Sequence, residues 1–398
     1  MTKKLIYLLL SLSLFASCAE ESNPNDDITK FTRIYDNNNF SASFYPIDMV
    51  QTPNGEYLVL GGRRLTTSNF TGIYLMKADK FGKFIEEIEI GDSLVNPIGK
   101  FTASADQYYF FCMDPLNQQV RLAHVDADLS ALSTVTVGGL TYPAAASFAN
   151  NQFVLLSYNN GDKQSVISTV TTAGTVQSSK GYTIGVGDEV EEPIINHFLR
   201  TGRQYPFEVG QLSGNLFYFN GFYNYTFSLV FTDIDADDPI GVVQGQQDDG
   251  GFSAITPIAG STFAASRFNF GDNFLLPRVN LNTSGTSSST DLGGFTLPEL
   301  ISNAPVKILR ATIDTKSVLI YGSNTKSKQI GLLFYDEASG AFLSSRYLGF
   351  SNPFEIANLM TTSEGGLAVC GTTYLAGRFP RICIIKLSES DLAENVKP

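Results

Sequence analysis

The chain repeats one pattern of short strands along most of its length, and this periodicity constrains the fold more than any other feature. The clearest copy, residues 47–92, contains four apolar, β-like runs separated by a Pro-Asn-Gly turn, a polar loop and an Asp-Lys-Phe-Gly turn. Residues 356–387 repeat its first three runs. The two copies share residues at three pairs of positions: Gly55 and Gly365, Gly61 and Gly371, Lys77 and Lys386.

Weaker copies lie between these two. The first run of each copy begins near residues 47, 99, 144, 208, 254, 308 and 356. Four strands in roughly 40–50 residues are typical of one blade of a β-propeller. The sequence therefore predicts an all-β, seven-bladed β-propeller. Six or eight blades are alternatives because the copy that begins near Phe252 is poorly defined, and a solenoid is the rival architecture.

The two ends of the repeat region complement each other. The last copy stops without a clear fourth strand, whereas residues 29–36 precede the first copy and match the fourth strands 82–90 and 340–348. We predict that this N-terminal strand completes the last blade and closes the ring, which removes an exposed sheet edge. The alternative is an unrelated edge strand.

The first 17 residues have the pattern of an export signal. Lys3 and Lys4 precede an apolar run of about 11 residues, whereas a membrane-spanning helix needs roughly 20. Residues 15–18 (FASC) resemble the lipobox of bacterial lipoproteins, although Phe15 replaces the usual leucine. The resemblance implies cleavage before Cys18 and attachment of a diacylglyceryl group to it. The alternative is an ordinary secretory signal in which Cys18 is incidental.

The residues that follow refine this location. Ala19-Glu20-Glu21 resembles the acidic export signal of Bacteroidota surface lipoproteins, which implies an outer-membrane, cell-surface location. Residues 18–28 are polar and acidic, so we interpret them as a flexible tether before a single domain, 29–398. The repeat motif also resembles that of Bacteroidota propeller lipoproteins of unassigned function, which implies the fold and the compartment but no catalytic residue.

Charge narrows the class of partner. The formal net charge is −12, and it becomes −14 without residues 1–17, which contain Lys3 and Lys4 but no acid. Because phosphate binding needs a basic patch, nucleic acid is disfavoured as a partner. Abundant glycine and aromatic residues agree with an all-β fold. We expect a monomer that is attached to the membrane by its lipid.

Three cysteines remain once Cys18 is acylated: Cys112, Cys370 and Cys383. Each lies in an apolar run and is expected to behave as a small hydrophobic residue. Cys370 and Cys383 fall on neighbouring predicted strands, which leaves a disulfide between them as an alternative.

The sequence offers one candidate for a Ca²⁺ site. Asp233, Asp235 and Asp237 alternate along one turn, and carboxylate oxygens are the ligands that Ca²⁺ prefers. The string lacks the glycine and the distal glutamate of a Ca²⁺-binding loop. We therefore predict a solvated hairpin turn and no cofactor, with Ca²⁺ as the alternative.

Two insertions interrupt the repeat. One contains the most charged stretch of the chain and is the candidate binding site, with a solvated loop as the alternative. Its charged residues are Asp188, Glu189, Glu191, Glu192, His197, Arg200 and Arg203. The other, residues 280–294, is rich in Ser, Thr and Gly and is expected to be a flexible loop.

These features favour a non-enzymatic surface module that binds a protein partner or a glycan through one propeller face. Neither a catalytic triad nor a phosphate-binding loop is recognisable. A hydrolase or lyase acting on polysaccharide is the alternative, and it would need carboxylates converging on the central channel. Asp48 and Glu208, on first strands, are candidates for that role. A third alternative is a structural envelope protein without a small ligand.

Overall fold

The computed structural model describes residues 30–36, 42–66, 68–247, 249–375 and 379–397. The proposed signal peptide, Cys18 and the tether lie outside this range. Most of the described chain forms β-strands, nearly all of them paired antiparallel, as the repeat predicts. No helix within it is long and apolar enough to cross a membrane.

The strands form six sheets, and the largest contains seven strands in chain order. After β1 (Phe31–Tyr35), these seven are β2 (Phe44–Gln51), β3 (Tyr57–Arg64), β4 (Thr71–Ala78), β5 (Phe84–Ser104), β6 (Gln107–Met113), β7 (Gln119–Val125) and β8 (Leu132–Thr141). The long strand β5 pairs with β4 through its first part and with β6 through its second. It therefore joins two four-strand units into one sheet.

The other sheets each add a four-strand unit. The next two consist of β9 (Pro143–Ala149), β10 (Gln152–Asn159), β11 (Gln164–Val170) and β12 (Val176–Thr183), and of β13 (Glu208–Ser213), β14 (Leu216–Tyr223), β15 (Thr226–Asp233) and β16 (Gly241–Gln244). The following unit consists of β17 (Gly250–Ala259), β18 (Thr262–Asn269), β19 (Asp272–Asn280) and β21 (Phe295–Thr296), with the short β20 (Thr286–Ser288) attached to β16. The last two units consist of β22 (Val306–Ile313), β23 (Lys316–Asn324), β24 (Ile330–Asp336) and β25 (Phe342–Leu348), and of β26 (Phe354–Thr361), β27 (Leu367–Thr373), β28 (Arg381–Leu387) and β1.

Three short helices complete the described chain. They are α1 (Asp188–Leu199), a 3-10 turn (Ser289–Leu292) and α2 (Glu389–Asn395). Helix α1 lies in the charged insertion between β12 and β13, where the sequence suggested a loop.

The seven first strands predicted from the repeat all exist, as β2, the second part of β5, β9, β13, β17, β22 and β26. Consecutive first strands contact one another, and β26 also contacts β2. Apolar clusters fill the space between each unit and the next, and one joins the unit that contains β26 to the unit that contains β2. Burial of apolar surface between neighbouring sheets therefore holds the units together.

The N-terminal strand pairs where the sequence predicted. β1 lies antiparallel to β28, with Phe31 opposite Lys386 and Tyr35 opposite Ile382. It supplies the fourth strand of the last unit and covers the outer edge of β28.

The first and last units are equivalent down to their turns. Gly55 and Gly365 have φ angles of 83° and 79°, which favour glycine, and their N–H groups donate to the Thr52 and Thr362 carbonyls. Lys77 forms an ion pair with Glu56, and Lys386 forms one with Glu364. The first and last units therefore share turn hydrogen bonds and ion pairs as well as sequence.

The insertion at residues 280–294 differs from the flexible loop that was expected. Thr286–Ser288 forms β20, which pairs in parallel with β16, and the 3-10 turn follows it. A Cβ atom at Gly241 would lie 2.5 Å from the Thr283 backbone, so glycine allows this segment to approach β16. Hydroxyl-rich composition alone did not indicate this pairing.

Candidate functional site

One cavity of about 560 Å³ lies where the first strands meet. All seven first strands contribute residues to its wall. Further wall residues come from the end of α1 and the segment after it, between residues 197 and 207, and from Thr71 on β4 and Tyr218 on β14. A volume in this range is typical of a site for a small ligand or a short segment of a partner. We call it the central cavity.

Asp48 lies in the wall at a β-bulge in β2 and is buried. Its Oδ1 accepts hydrogen bonds from the Met49 N–H and the Asn358 side-chain amide, and its Oδ2 accepts one from the Phe101 N–H at 2.7 Å. This carboxylate therefore joins three units through β2, β5 and β26. Its hydrogen-bonding capacity is largely used within the protein, which suits a structural role.

Glu208 is the other carboxylate in the wall. Its Oε2 accepts a hydrogen bond of 2.9 Å from the Ile255 N–H, which links β13 to β17. Burial raises the pKa of Glu208 to about 7, although the nearby Lys307 ammonium and the Ile255 N–H both act to lower it. Glu208 therefore exchanges a proton near neutral pH, unlike an ordinary glutamate.

Helix α1 covers one side of the cavity. Its apolar stripe, Val190, Ile194 and Phe198, is buried among aromatic residues of the neighbouring sheets. Asn96 fixes its end, because the side-chain amide donates to the Phe198 carbonyl at 2.7 Å while Oδ1 accepts from the Thr71 N–H. The segment therefore has a defined position over the first strands.

His197, in the last turn of α1, lines the cavity as a neutral imidazole. Burial, with a smaller contribution from the Arg200 charge, lowers the pKa of His197 to about 3. Its Nδ1 accepts a hydrogen bond from the Tyr205 N–H at 3.0 Å, so the proton is on Nε2. At neutral pH this side chain contributes a hydrogen-bond donor and no charge.

The cavity also contains three cationic side chains. Lys100 and Lys307 project from β5 and β22, and Arg200 follows α1. Arg200 lies over the Tyr45 ring, with its guanidinium 4.7 Å from the ring centre. Lys100 and Lys307 were not singled out from the sequence, because single lysines in strands give no local signal.

The structure divides the charged insertion into two groups. His197 and Arg200 line the cavity. Glu191 pairs with Lys163 at 2.6 Å and Glu189 accepts a hydrogen bond from Gln247, while Asp188 and Glu192 lie elsewhere on the helix surface. Arg203 packs on the Tyr205 and Phe268 rings, outside the cavity wall. The charged residues that the sequence placed in one candidate binding site are therefore neighbours in sequence, but only some of them line the cavity.

The aspartates of the Ca²⁺ candidate lie in the hairpin between β15 and β16. Asp233 accepts a hydrogen bond from the Asp235 N–H, Asp235 accepts one from Asn215, and Asp237 pairs with Lys180 at 2.9 Å. In the described part of the chain, no three His, Cys, Asp or Glu side chains are grouped to hold a metal ion.

The three described cysteines are buried and free, so the alternative of a Cys370–Cys383 disulfide is wrong. In the β27–β28 register, Cys370 lies opposite Ile384, whereas Cys383 lies opposite Gly371. This offset of one residue puts the two thiols on opposite faces of the sheet, in different apolar clusters.

Comparisons with known proteins identify the fold. No protein-family model matches the sequence, and no curated protein matches it. The WD40 domain of Toxoplasma gondii coronin is similar with a TM-score of 0.51 and 11% identity, over 90% of this chain and 87% of that one. The β-propeller domain of the Trilobed protease from Pyrococcus furiosus has a TM-score of 0.48 and 8% identity, over 89% and 98%. WD40 domains are propellers, so the described fold is a β-propeller domain.

Proposed function

We propose that this protein is a lipid-anchored binding module of the outer-membrane surface, which uses the propeller face that bears the central cavity. The observation that carries the proposal is the convergence of seven first strands and the α1 segment on one cavity. The occupant is a protein partner or a glycan. The anchor at Cys18, the cell-surface location and the monomeric state belong to this proposal and derive from the sequence.

The ring architecture is part of the same proposal. We infer seven blades, closed by β1 in the last one. The paired β1 and β28, the contacts of each first strand with the next, and the apolar clusters between successive units all support this count. A rigid ring suits recognition, because its face is preformed and loses little entropy on binding.

Capture from outer-membrane extracts tests the binding function. Immobilised wild type should retain a protein or glycan that an Arg200→Glu variant, altered at the cavity, retains at least fivefold less. Lys80→Glu, at the exposed turn between β4 and β5, is the matched control. Equal retention by all three proteins would exclude use of this face.

The anchor is tested separately. An alkyne fatty acid supplied to expressing cells should label the wild type and leave Cys18→Ser unlabelled. Equal labelling of both proteins would contradict acylation at Cys18.

A hydrolase or lyase acting on polysaccharide is the second candidate. Its specific support is that Asp48 and Glu208 both line the cavity, and that a carboxyl with a pKa of about 7 suits a general acid. The three donors bound to Asp48 weigh against a second reactive carboxylate. Release of reducing ends from a polysaccharide by wild type, lost in Glu208→Gln, would favour this candidate.

A further inference from the structure

The cations of the central cavity form no ion pairs with described residues, although the Glu208 carboxyl lies near Lys307. Among the described residues, Lys100, Lys307 and Arg200 form no ion pair with any carboxylate. Elsewhere in this acidic chain some cations are paired, as Lys77 and Lys386 are, and others are not; the three cavity cations differ in lining one concave wall together. Unpaired cations on the wall of one cavity favour an anionic occupant.

The carboxylates of the wall do not cancel this charge. Asp48 contributes one negative charge against the three cations, and its two oxygens already accept three hydrogen bonds within the protein. Glu208, which faces Lys307, Tyr218 and the Ile255 N–H, has a pKa raised to about 7 by burial, so it loses its negative charge as the pH falls below neutrality. His197 remains neutral in this range. The cavity is therefore cationic, and more so in mild acid.

The propeller face that bears the α1 segment carries exposed apolar side chains. The four most exposed large hydrophobic residues in the described chain are Leu116, Phe350, Val186 and Phe270, with 67–85% of their surface accessible. They lie in the turns between second and third strands or in the connections that lead into first strands. In antiparallel units these connections share one face, and it is the face of the α1 segment. We call these four residues the apolar rim.

The combination of rim and cavity distinguishes between classes of occupant. Exposed apolar groups on a folded protein mark protein contacts, whereas a hydroxylated, acidic glycan has little apolar surface to cover them. Charge complementarity favours an anionic group at the cavity, and the anionic side chains of a protein are the carboxylates of Asp and Glu. The two features together fit a protein segment with an acidic side chain between apolar neighbours.

We propose, resting on the proposed function, that the central cavity receives the carboxylate of an acidic segment of a partner protein, whose apolar neighbours pack on the rim. Lys100, Lys307 and Arg200 bind the carboxylate. Protonation of Glu208 removes a competing negative charge beside Lys307, so binding strengthens in mild acid.

A pair of peptide pools tests this proposal on the full purified protein. Both pools consist of fluorescent, acetylated and amidated nonapeptides with randomised apolar flanks, one with a central glutamate and the other with a central glutamine. We expect the glutamate pool to bind at least tenfold more tightly. Lys307→Met and Lys100→Met should each weaken its binding about tenfold, whereas Lys80→Met, at an exposed turn on the opposite face, should not.

Two further variants separate the parts of the proposal. Phe350→Ser should weaken peptide binding severalfold. Binding to the wild type should be severalfold tighter at pH 6 than at pH 8, and Glu208→Gln should abolish that difference. Circular dichroism of each variant verifies folding.

Four results would overturn the proposal. Equal affinity for the two pools would exclude recognition of the carboxylate. Unchanged binding by both lysine variants would exclude the cavity. Binding of trigalacturonate, with no binding of the glutamate pool, would replace the protein partner by an acidic glycan. If neither probe binds while the Arg200-dependent capture persists, the proposed function stands and this inference fails.

Discussion

At the scale of single residues, Glu208 connects the pH of the solution to the stability of the fold. Its pKa is about 7 in the folded chain and about 4.5 in an ordinary environment. Between these values the folded state binds more protons than the unfolded state, so the free energy of unfolding falls as pH rises from about 4.5 to 7. Each pKa unit is worth about 1.4 kcal/mol, so ionisation costs roughly 3 kcal/mol above pH 7.

We therefore expect Glu208→Gln to be more stable than the wild type at pH 8, by up to roughly 3 kcal/mol, and nearly equal to it at pH 4. Urea unfolding at both pH values measures this, and the difference between the two proteins removes the contribution of other carboxylates. A difference that is independent of pH would contradict the raised pKa.

Replacing the carboxylate of Asp48 by an amide should lower the free energy of unfolding, whereas the same replacement at Glu208 should raise it. Its two oxygens accept three hydrogen bonds, two of them from backbone N–H groups. An amide at this position places its NH₂ group against one of those donors and leaves a buried N–H unsatisfied. We expect Asp48→Asn to lose about 2 kcal/mol of unfolding free energy. Urea unfolding at pH 8, where Glu208→Gln is stabilising, gives the comparison, and an Asp48→Asn variant as stable as wild type would contradict this role.

The sequence repeat contains a feature that indicates the two partners of the hydrogen bond between Asp48 and Asn358. Asp48 and Asn358 stand at equivalent positions of the first and last units, as Gly55 and Gly365 do, and each lies at a β-bulge of its first strand. When two repeat units both carry a polar residue at the same position of an otherwise apolar strand, the two residues are expected to occupy similar environments. That the two side chains bond to each other could be seen only in the fold, where β2 and β26 are in contact, because 310 residues separate them in sequence.

At the scale of elements, strands were predictable and α1 was not. Each strand is a short apolar run between turn residues, which is a local signal. In residues 188–199, Pro193 lacks an N–H and disfavours a helix interior, and it obscured the apolar stripe of Val190, Ile194 and Phe198. The spacing of four between these residues was the available sign of a helix. The cavity could not be predicted, because its wall collects residues from seven distant strands.

The buried strands also determine how the cysteines react. Burial raises the pKa of the thiols of Cys112, Cys370 and Cys383 above the ordinary value, so the reactive thiolate is scarce in the folded chain. We expect these three thiols to resist Ellman's reagent in the native protein and all three to react in denaturant without reductant. A native disulfide between Cys370 and Cys383 would instead leave one reactive thiol among the three.

At the scale of the whole molecule, the pairing of β1 with β28 joins the beginning of the domain to its end. Ile34 lies directly opposite Cys383, and both contact the same apolar cluster. Side chains of directly opposed residues on antiparallel strands are close enough to be joined with a small adjustment. We therefore expect Ile34→Cys to form a disulfide with Cys383 under mild oxidation. Because this bond would close a loop containing nearly the whole domain, it should raise the unfolding free energy by roughly 2–5 kcal/mol.

Arg33→Cys is the matched control for this closure, because residue 33 lies opposite Ile384 and its side chain is on the other face of the sheet. Loss of two free thiols and a higher melting temperature in Ile34→Cys, both reversed by reductant and both absent in Arg33→Cys, would establish that the N-terminal strand closes the ring in solution. If Ile34→Cys stays reduced while Arg33→Cys behaves identically, β1 is not held against β28, and the ring is open at this blade. The test depends on register alone, so it examines the architecture without reference to any ligand.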